Sequence, residues 1–275
     1  MPIYQAVVLG IIQGLAEFLP ISSSAHLALA PWLFGWKDQG LAFDIAMHFG
    51  TLVSAVLYFF RDWVQIIGQA FGLRVGNDPF LRDRPKLLWY LMAATVPGGI
   101  AGLLFKKTVE TTLRSAYVIG VMAILFGLLL LLAEFLGAKL KHIGTLSFMD
   151  SMWMGIAQAF GIVPGVSRSG VTMSAGLFRD LDRPTAARYS FLMSTPIIAG
   201  AALKDFWDLH KNGGLSPEMK IPFIVGIIVS GITGCIVIAF FLKYLRSSSL
   251  KPFVVYRILF GITVIALAAF RGFQG

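Results

Sequence analysis

Apolar residues fall along this chain in long blocks rather than in alternating stripes. Six blocks, at about 41–60, 87–105, 116–136, 185–203, 221–242 and 253–270, approach the roughly 20 residues that a helix needs to cross a bilayer. They predict six spanning helices. Two further apolar stretches, about 3–34 and 149–178, are interrupted near their middles by Pro, Gly and clustered Ser. The interruptions read Pro20-Ile21-Ser22-Ser23-Ser24 and Pro164-Gly165-Val166-Ser167-Arg168-Ser169-Gly170. A lipid-facing helix cannot leave backbone groups unpaired at that depth; broken backbone survives only inside protein or beside a wet cavity. Both stretches are therefore expected to be re-entrant helix–loop–helix hairpins. The predicted fold is all-α: a polytopic membrane protein with six spanning helices and two re-entrant hairpins, in one integral membrane domain over 1–275.

The two broken stretches resemble each other. Gly10-Ile11-x-Gln13 matches Gly155-Ile156-x-Gln158, and nine residues after each Gln comes Ser22-Ser23-Ser24-Ala25 or Ser167-Arg168-Ser169-Gly170. Later pieces, such as Arg61-Asp62-Trp63 against Lys204-Asp205-Phe206, follow at slightly different offsets. The pattern predicts a duplication, repeat one about 1–138 and repeat two about 147–275. Each copy holds one hairpin and three spans. An odd number of spans sends the second copy into the membrane from the opposite side, giving an inverted repeat.

Composition sharpens this picture. The chain has 275 residues, 57% hydrophobic and 13% charged, about half the charge of a soluble domain. The net charge of +9 is assigned to loops that meet anionic lipid headgroups rather than to nucleic acid, which is not an expected partner. The loops at 61–86, 137–148, 179–188 and 243–251 carry thirteen Lys and Arg, and the other side, with both termini, carries eight. Positive-inside orientation then puts the first set in the cytoplasm and both termini outside. The N-terminal run has no Lys or Arg before it and contains Glu17 and His26, so it is expected to stay in the fold rather than to act as a cleaved leader. Cys235, the single cysteine, allows no intramolecular disulfide.

Ionisable residues within apolar segments are costly and point to function. They are Glu17, His26, Asp44, His48, Arg168 and Arg257. Gln13 and Glu17, four apart, share a helix face. Gln13 reads equally as an interhelical hydrogen-bond partner or as a substrate contact. Glu17 suits a divalent cation or a proton. Ser22, Ser23, Ser24 and His26 beside a carboxylate compose a nucleophile–base set. Arg168 offers a planar, permanently charged fork to phosphate oxygens, flanked by the hydroxyls of Ser167, Ser169 and Thr172. Gly170 lets backbone approach an anion, and a helix starting after this loop would add its free N–H groups. Asp44 and His48 are held equally as functional or interhelical. Arg257 and Glu134 are expected to reach toward the interface.

Gln13-Gly14-Leu15-Ala16-Glu17-Phe18-Leu19-Pro20-Ile21-Ser22-Ser23-Ser24-Ala25-His26 resembles the first signature of the undecaprenyl-pyrophosphate phosphatase (bacitracin-resistance) family. Pro164-Gly165-Val166-Ser167-Arg168-Ser169-Gly170-Val171-Thr172 is similar to its second. Phe43-Asp44-Ile45-Ala46-Met47-His48-Phe49-Gly50-Thr51-Leu52 is also similar to the family. The resemblance implies hydrolysis of undecaprenyl pyrophosphate, a polyprenyl pyrophosphate lipid, to the monophosphate and phosphate, recycling the carrier lipid of wall synthesis. It implies a divalent cation, Mg²⁺ or Ca²⁺, and a site open to the outer face of the bacterial cytoplasmic membrane. It implies catalytic roles for Glu17 and His26 with Ser23 near them, and pyrophosphate contacts from Arg168, Ser167, Ser169 and Thr172. Glu17 would also be the metal ligand. Gln13 stands where many members carry Glu, which removes one carboxylate.

The nucleophile stays open among Ser23 with His26 as base, an activated water, and His26 itself. Inverted repeats with midplane hairpins also fit a secondary transporter or lipid flippase with an anion site. An intramembrane serine hydrolase gives no reason for Arg168. A homodimer is the one protein partner considered.

Overall fold

The computed structural model describes residues 1–211 and 213–271, all helix and connecting loop apart from one isolated bridge between Lys141 and Leu181. The helices are α1 Ile3–Phe18, α2 Ser23–Phe34, α3 Leu41–Tyr58, α4 Phe60–Ala70, α5 Leu87–Thr111, α6 Ala116–Leu136, α7 Phe148–Phe160, α8 Arg168–Phe178, α9 Arg183–Lys211, α10 Pro217–Leu245 and α11 Lys251–Arg271.

Local chemistry explains several boundaries. Ser115 caps α6 by accepting from the Val118 N–H at 3.3 Å. Ser147 and Asp150 close a capping box on α7. Pro217 opens α10, where its missing N–H costs nothing. Gly35 takes the left-handed turn that ends α2, with φ of 66°.

Each of the six apolar blocks is a helix. Among the described residues, α5, α6, α10 and α11 are long and apolar enough to cross a membrane by length and composition. The count of six plain spans is thus narrower than expected. Phe43–Tyr58 of α3 qualifies only together with α4, from which it is bent by 70°. In α9 the stretch without charge, between Arg188 and Lys204, is too short to qualify alone. The predicted loop at 61–86 contains α4, whose buried Ile66 and Gln65 tie it to the protein.

The apolar outer faces identify the lipid-contacting surface. Ile224, Ile228, Ile232, Ile236 and Phe240 form one exposed ridge on α10, each between 53% and 63% exposed. Exposed apolar rows this long would not stay in water, and the chain is a multi-pass membrane protein.

Inside, α9 forms the centre. Tyr189, Phe191, Leu192 and Met193 are fully buried, and Phe191 meets Phe18 of α1 edge to face at 5.1 Å. Each hairpin packs on helices from the other half of the chain, with glycines setting the approach. A Cβ on Gly14 of α1 would stand 2.5 Å from Thr233 Cβ of α10, and one on Gly155 of α7 would stand 2.5 Å from the Ala94 carbonyl of α5. Gly120 of α6 and Gly261 of α11 make the matching close contact between those helices.

The four basic loops meet at one end, where Lys243 and Arg246 line a cleft with Asp62, His142 and Arg188. Arg188 binds Asp62 and Asp78 at 2.7 Å. Arg84 donates to the carbonyls of Gly144, at 2.6 Å, and Leu146. Asp150, fully buried, receives Arg179 at 2.8 Å and Lys141 at 3.2 Å. Glu134 is buried here against Arg183 rather than reaching outward.

Candidate active site

The hairpin breaks are short and sharply turned. Leu19 leaves α1 in an extended conformation, and Ser22 enters α2 with φ of 78°. The second break runs from Gly161 to Ser167, with Gly165 at φ of 95° and Ser167 at 68°. Two serines thus hold left-handed backbone, each directly before a helix. Such residues cost of order 1 kcal/mol or more and persist where neighbours over-determine them.

The neighbours are the two breaks themselves. The Gly165 N–H donates to Ser22 Oγ at 3.0 Å, and Ser169 Oγ donates to the Leu19 carbonyl at 3.0 Å. Arg257 of α11 completes the tie. Its Nη1 donates to the Pro20 carbonyl at 3.0 Å, its Nη2 to those of Gly165 and Val166 at 2.9 Å, and its Nε to Ala123 at 3.2 Å. It is 1% exposed, so the expected reach to the interface is overturned. The bare carbonyls of two broken helices supply the acceptors that make its burial tolerable.

Joining the breaks brings the chemistry together. Glu17 Oε1 accepts from Arg168 Nη2 at 2.6 Å. Glu17 Oε2 accepts from Ser23 Oγ at 2.6 Å and from Gln13 Nε2 at 3.0 Å. His48 Nε2 stands 3.6 Å from the same oxygen, its Nδ1 donating to the Asp44 carbonyl at 2.7 Å. Arg168 Nη1 also donates to the Ser190 carbonyl at 3.2 Å, which orients the fork. Gln13 is fully buried, donates also to Thr51 Oγ1 at 3.3 Å, and its Oε1 has no partner among the described residues.

The Glu17–Arg168 pair faces a cavity of about 270 Å³ lined by Glu17, Ser22, Ser23, Ser24, His48, Ser167, Arg168 and Ser169. Its other wall is apolar, with Ile45, Ile197, Ile198, Ala201 and Ala202. Asp205 also lines it.

Four expected site residues lie elsewhere. Gln13, fully buried, is not among the residues that line the cavity. His26 does not line the cavity. Its Nδ1 donates to the Ser22 carbonyl at 2.7 Å, its Nε2 accepts from Tyr256 at 2.6 Å, and its ring stacks on Phe260 at 4.4 Å. The left-handed turn at Ser22 sends Ser23 and Ser24 into the cavity, while His26 comes round onto α11. Thr172 is buried behind the second break, its hydroxyl bonded to Ser190 Oγ at 2.6 Å and to the Arg168 carbonyl at 2.8 Å. Gly170 donates its N–H to Ser167 Oγ at 3.1 Å, and a Cβ there would meet Arg257 Nη1 at 2.9 Å. Its smallness serves packing. The sequence leaves His48 open between function and structure, and its spacing four residues after Asp44 is the available signal.

Comparison with known proteins gives concordant matches. Residues 6–263 match the family model described as bacitracin resistance protein BacA. The chain is 47% identical over 273 residues to a protein named undecaprenyl-diphosphatase in Pelotomaculum thermopropionicum, covering 99% of both chains. Proteins of the same name in Desulforudis audaxviator and Moorella thermoacetica are 44% and 45% identical, over 98% and 97% of this chain and 99% and 98% of theirs.

Proposed function

The chain belongs to the bacitracin resistance protein BacA family, and on that premise we propose that it hydrolyses undecaprenyl pyrophosphate to undecaprenyl phosphate and phosphate, recycling the carrier lipid of wall synthesis. The observation that carries this reading is the convergence of Arg168, Glu17 and Ser23 within 2.6 Å contacts on the floor of a cavity whose other wall is apolar. A polyanionic head needs the first feature and a polyprenyl tail the second. Phosphoryl transfer asks mainly for positioning and charge neutralisation.

The proposed sequence of events follows the contacts. A phosphate oxygen replaces Glu17 Oε1 on one arm of Arg168, while the Ser190 carbonyl holds the other arm. Glu17 then takes the Ser23 hydroxyl proton, and Ser23 Oγ bonds to the terminal phosphorus as the bridging P–O bond breaks. The lipid monophosphate leaves with the bridging oxygen. Glu17 releases its proton, then takes one from an attacking water and returns it to Ser23 Oγ as the phosphoserine bond breaks. The contact at Oε2 favours Glu17 over His26 as the base.

A divalent cation, Mg²⁺ or Ca²⁺, belongs to the same proposal. No cluster of three His, Cys, Asp or Glu occurs among the described residues. Such cations nevertheless accept one or two protein oxygens plus substrate phosphates. Glu17 and the orphaned Gln13 Oε1 are oxygen donors of the right kind, and the bound cation would supply charge neutralisation on the phosphates.

The proposed location is the bacterial cytoplasmic membrane, with the cavity opening outward. The basic loops gather at one end. The cavity lies toward the end that bears Asp205 and the α5–α6 turn. The two halves are proposed to be inverted copies, which their exchanged hairpin packing supports. A homodimer would use α5, where Gly99 and Gly102 meet open space. No nucleic-acid partner is proposed.

Phosphate release from undecaprenyl pyrophosphate by detergent-purified protein tests the reading. Turnover should need a divalent cation and stop with EDTA. Arg168→Ala should lower kcat/KM by about 10²–10³, the scale of a lost electrostatic stabiliser. Folded wild-type protein that releases no phosphate with lipid and cation supplied would return the transporter reading to first place, because detergent abolishes vectorial transport.

A further inference from the structure

A second, smaller chamber adjoins the reaction cavity. It has a volume of about 150 Å³ and shares Ser24, Ile45 and His48 with its larger neighbour. Its own polar groups are Asp44 on α3 and Arg114 on the turn between α5 and α6. Arg114 Nη2 lies 3.4 Å from Asp44 Oδ2, at the long end of an ion pair, with the two side chains 30% and 18% exposed. That is its one ion pair among the described residues, so most of a five-donor fork is uncommitted there. Asp44 is in turn joined to the reaction centre, since its carbonyl holds His48, whose other nitrogen faces Glu17. A guanidinium, a loosely held carboxylate counter-ion and a cavity that shares a wall with the catalytic one thus occur together.

Resting on the hydrolase reading above, we propose that this chamber is a second phosphoryl-group site anchored by Arg114. Hydrolysis makes two phosphate anions in a cavity that already holds the Glu17 carboxylate. Arg168 and the proposed divalent cation serve the phosphates at the reaction centre. A product phosphate that moves away from them needs another positive group within reach, and Arg114 is the guanidinium of the adjoining chamber. Asp44 keeps that guanidinium neutralised until a phosphoryl group displaces it. The occupant is either released inorganic phosphate or the lipid-linked phosphate, and these two make different kinetic predictions.

The test compares Arg114→Gln and Asp44→Asn in the full chain purified in detergent. Binding of radiolabelled inorganic phosphate, without lipid, is read first because it does not depend on turnover. Arg114→Gln should weaken binding about tenfold, the worth of a charge-assisted hydrogen bond, and Asp44→Asn should tighten it. Inhibition of turnover by phosphate should move in the same two directions. If the lipid-linked phosphate is the occupant, KM for undecaprenyl pyrophosphate moves in these opposite directions while phosphate binding is unchanged. Unchanged binding and unchanged KM in both variants would overturn the site. So would equal weakening in both, which marks the pair as a structural tie between α3 and the α5–α6 turn. Wild-type protein that binds phosphate through Arg114 but hydrolyses nothing would preserve the site and sink the hydrolase reading instead.

Discussion

His26 and His48 show what a single side chain's direction decides. Both are histidines in apolar segments, and the one next to the Ser cluster drew the catalytic assignment. The structure turns His26 onto Tyr256 and Phe260 and sets His48 beside Glu17. Sequence spacing could not reveal this, because the left-handed turn at Ser22 resets the rotation of α2 relative to α1. His26 is therefore expected to act by holding the first break in place. His26→Gln and Tyr256→Phe should lower kcat by similar factors and combine non-additively, since each removes the same hydrogen bond. A His26→Gln loss far beyond that of Tyr256→Phe, measured by phosphate release, would restore the catalytic assignment. Arg257 makes the complementary case. A buried Arg without a carboxylate was not legible, because its acceptors are carbonyls from residues distant in the chain. Arg257→Met leaves those carbonyls unsatisfied, at about 1–3 kcal/mol for each buried group. Even the lower bound for its four carbonyls, about 4 kcal/mol, corresponds to a fall in detergent Tm of roughly 8–16 °C, which thermal unfolding would measure.

Helices and hairpins were more legible than side-chain directions. Apolar block length found every long helix, and the Pro-Gly-Ser interruptions found both breaks, because backbone polarity at membrane depth leaves few alternatives. The limits appear in α4 and α9. Both are amphipathic or charged at their ends, and both owe their positions to packing that a hydropathy window does not see. The close helix contacts are set by particular glycines, which gives a prediction at this scale. Gly14→Ala would drive a Cβ against Thr233 and the backbone of α10, whereas Gly99→Ala meets open space. The first should cost about 1–3 kcal/mol through overpacking and lower thermal stability in detergent. The second should leave monomer stability unchanged or raise it slightly, since Ala favours helix.

At the scale of the whole molecule, the account turns on two breaks, 145 residues apart in the repeat register, forming one reaction site. Glu17 and Arg168 were legible as candidates because charges in apolar hairpins are rare and costly. Their partnership rests on the fold, since no pattern along the chain states which hairpin meets which. The structure joins them at 2.6 Å and binds the surrounding loops through Ser22, Ser169 and Arg257. A double-mutant cycle on kcat/KM for undecaprenyl pyrophosphate reads this coupling directly, using Glu17→Asp and Arg168→Lys so that residual turnover stays measurable. The account predicts that the double variant is far more active than the product of the two single losses, a coupling of roughly 1–3 kcal/mol. Losses that simply multiply would mean that the two hairpins act at independent places, and would contradict it.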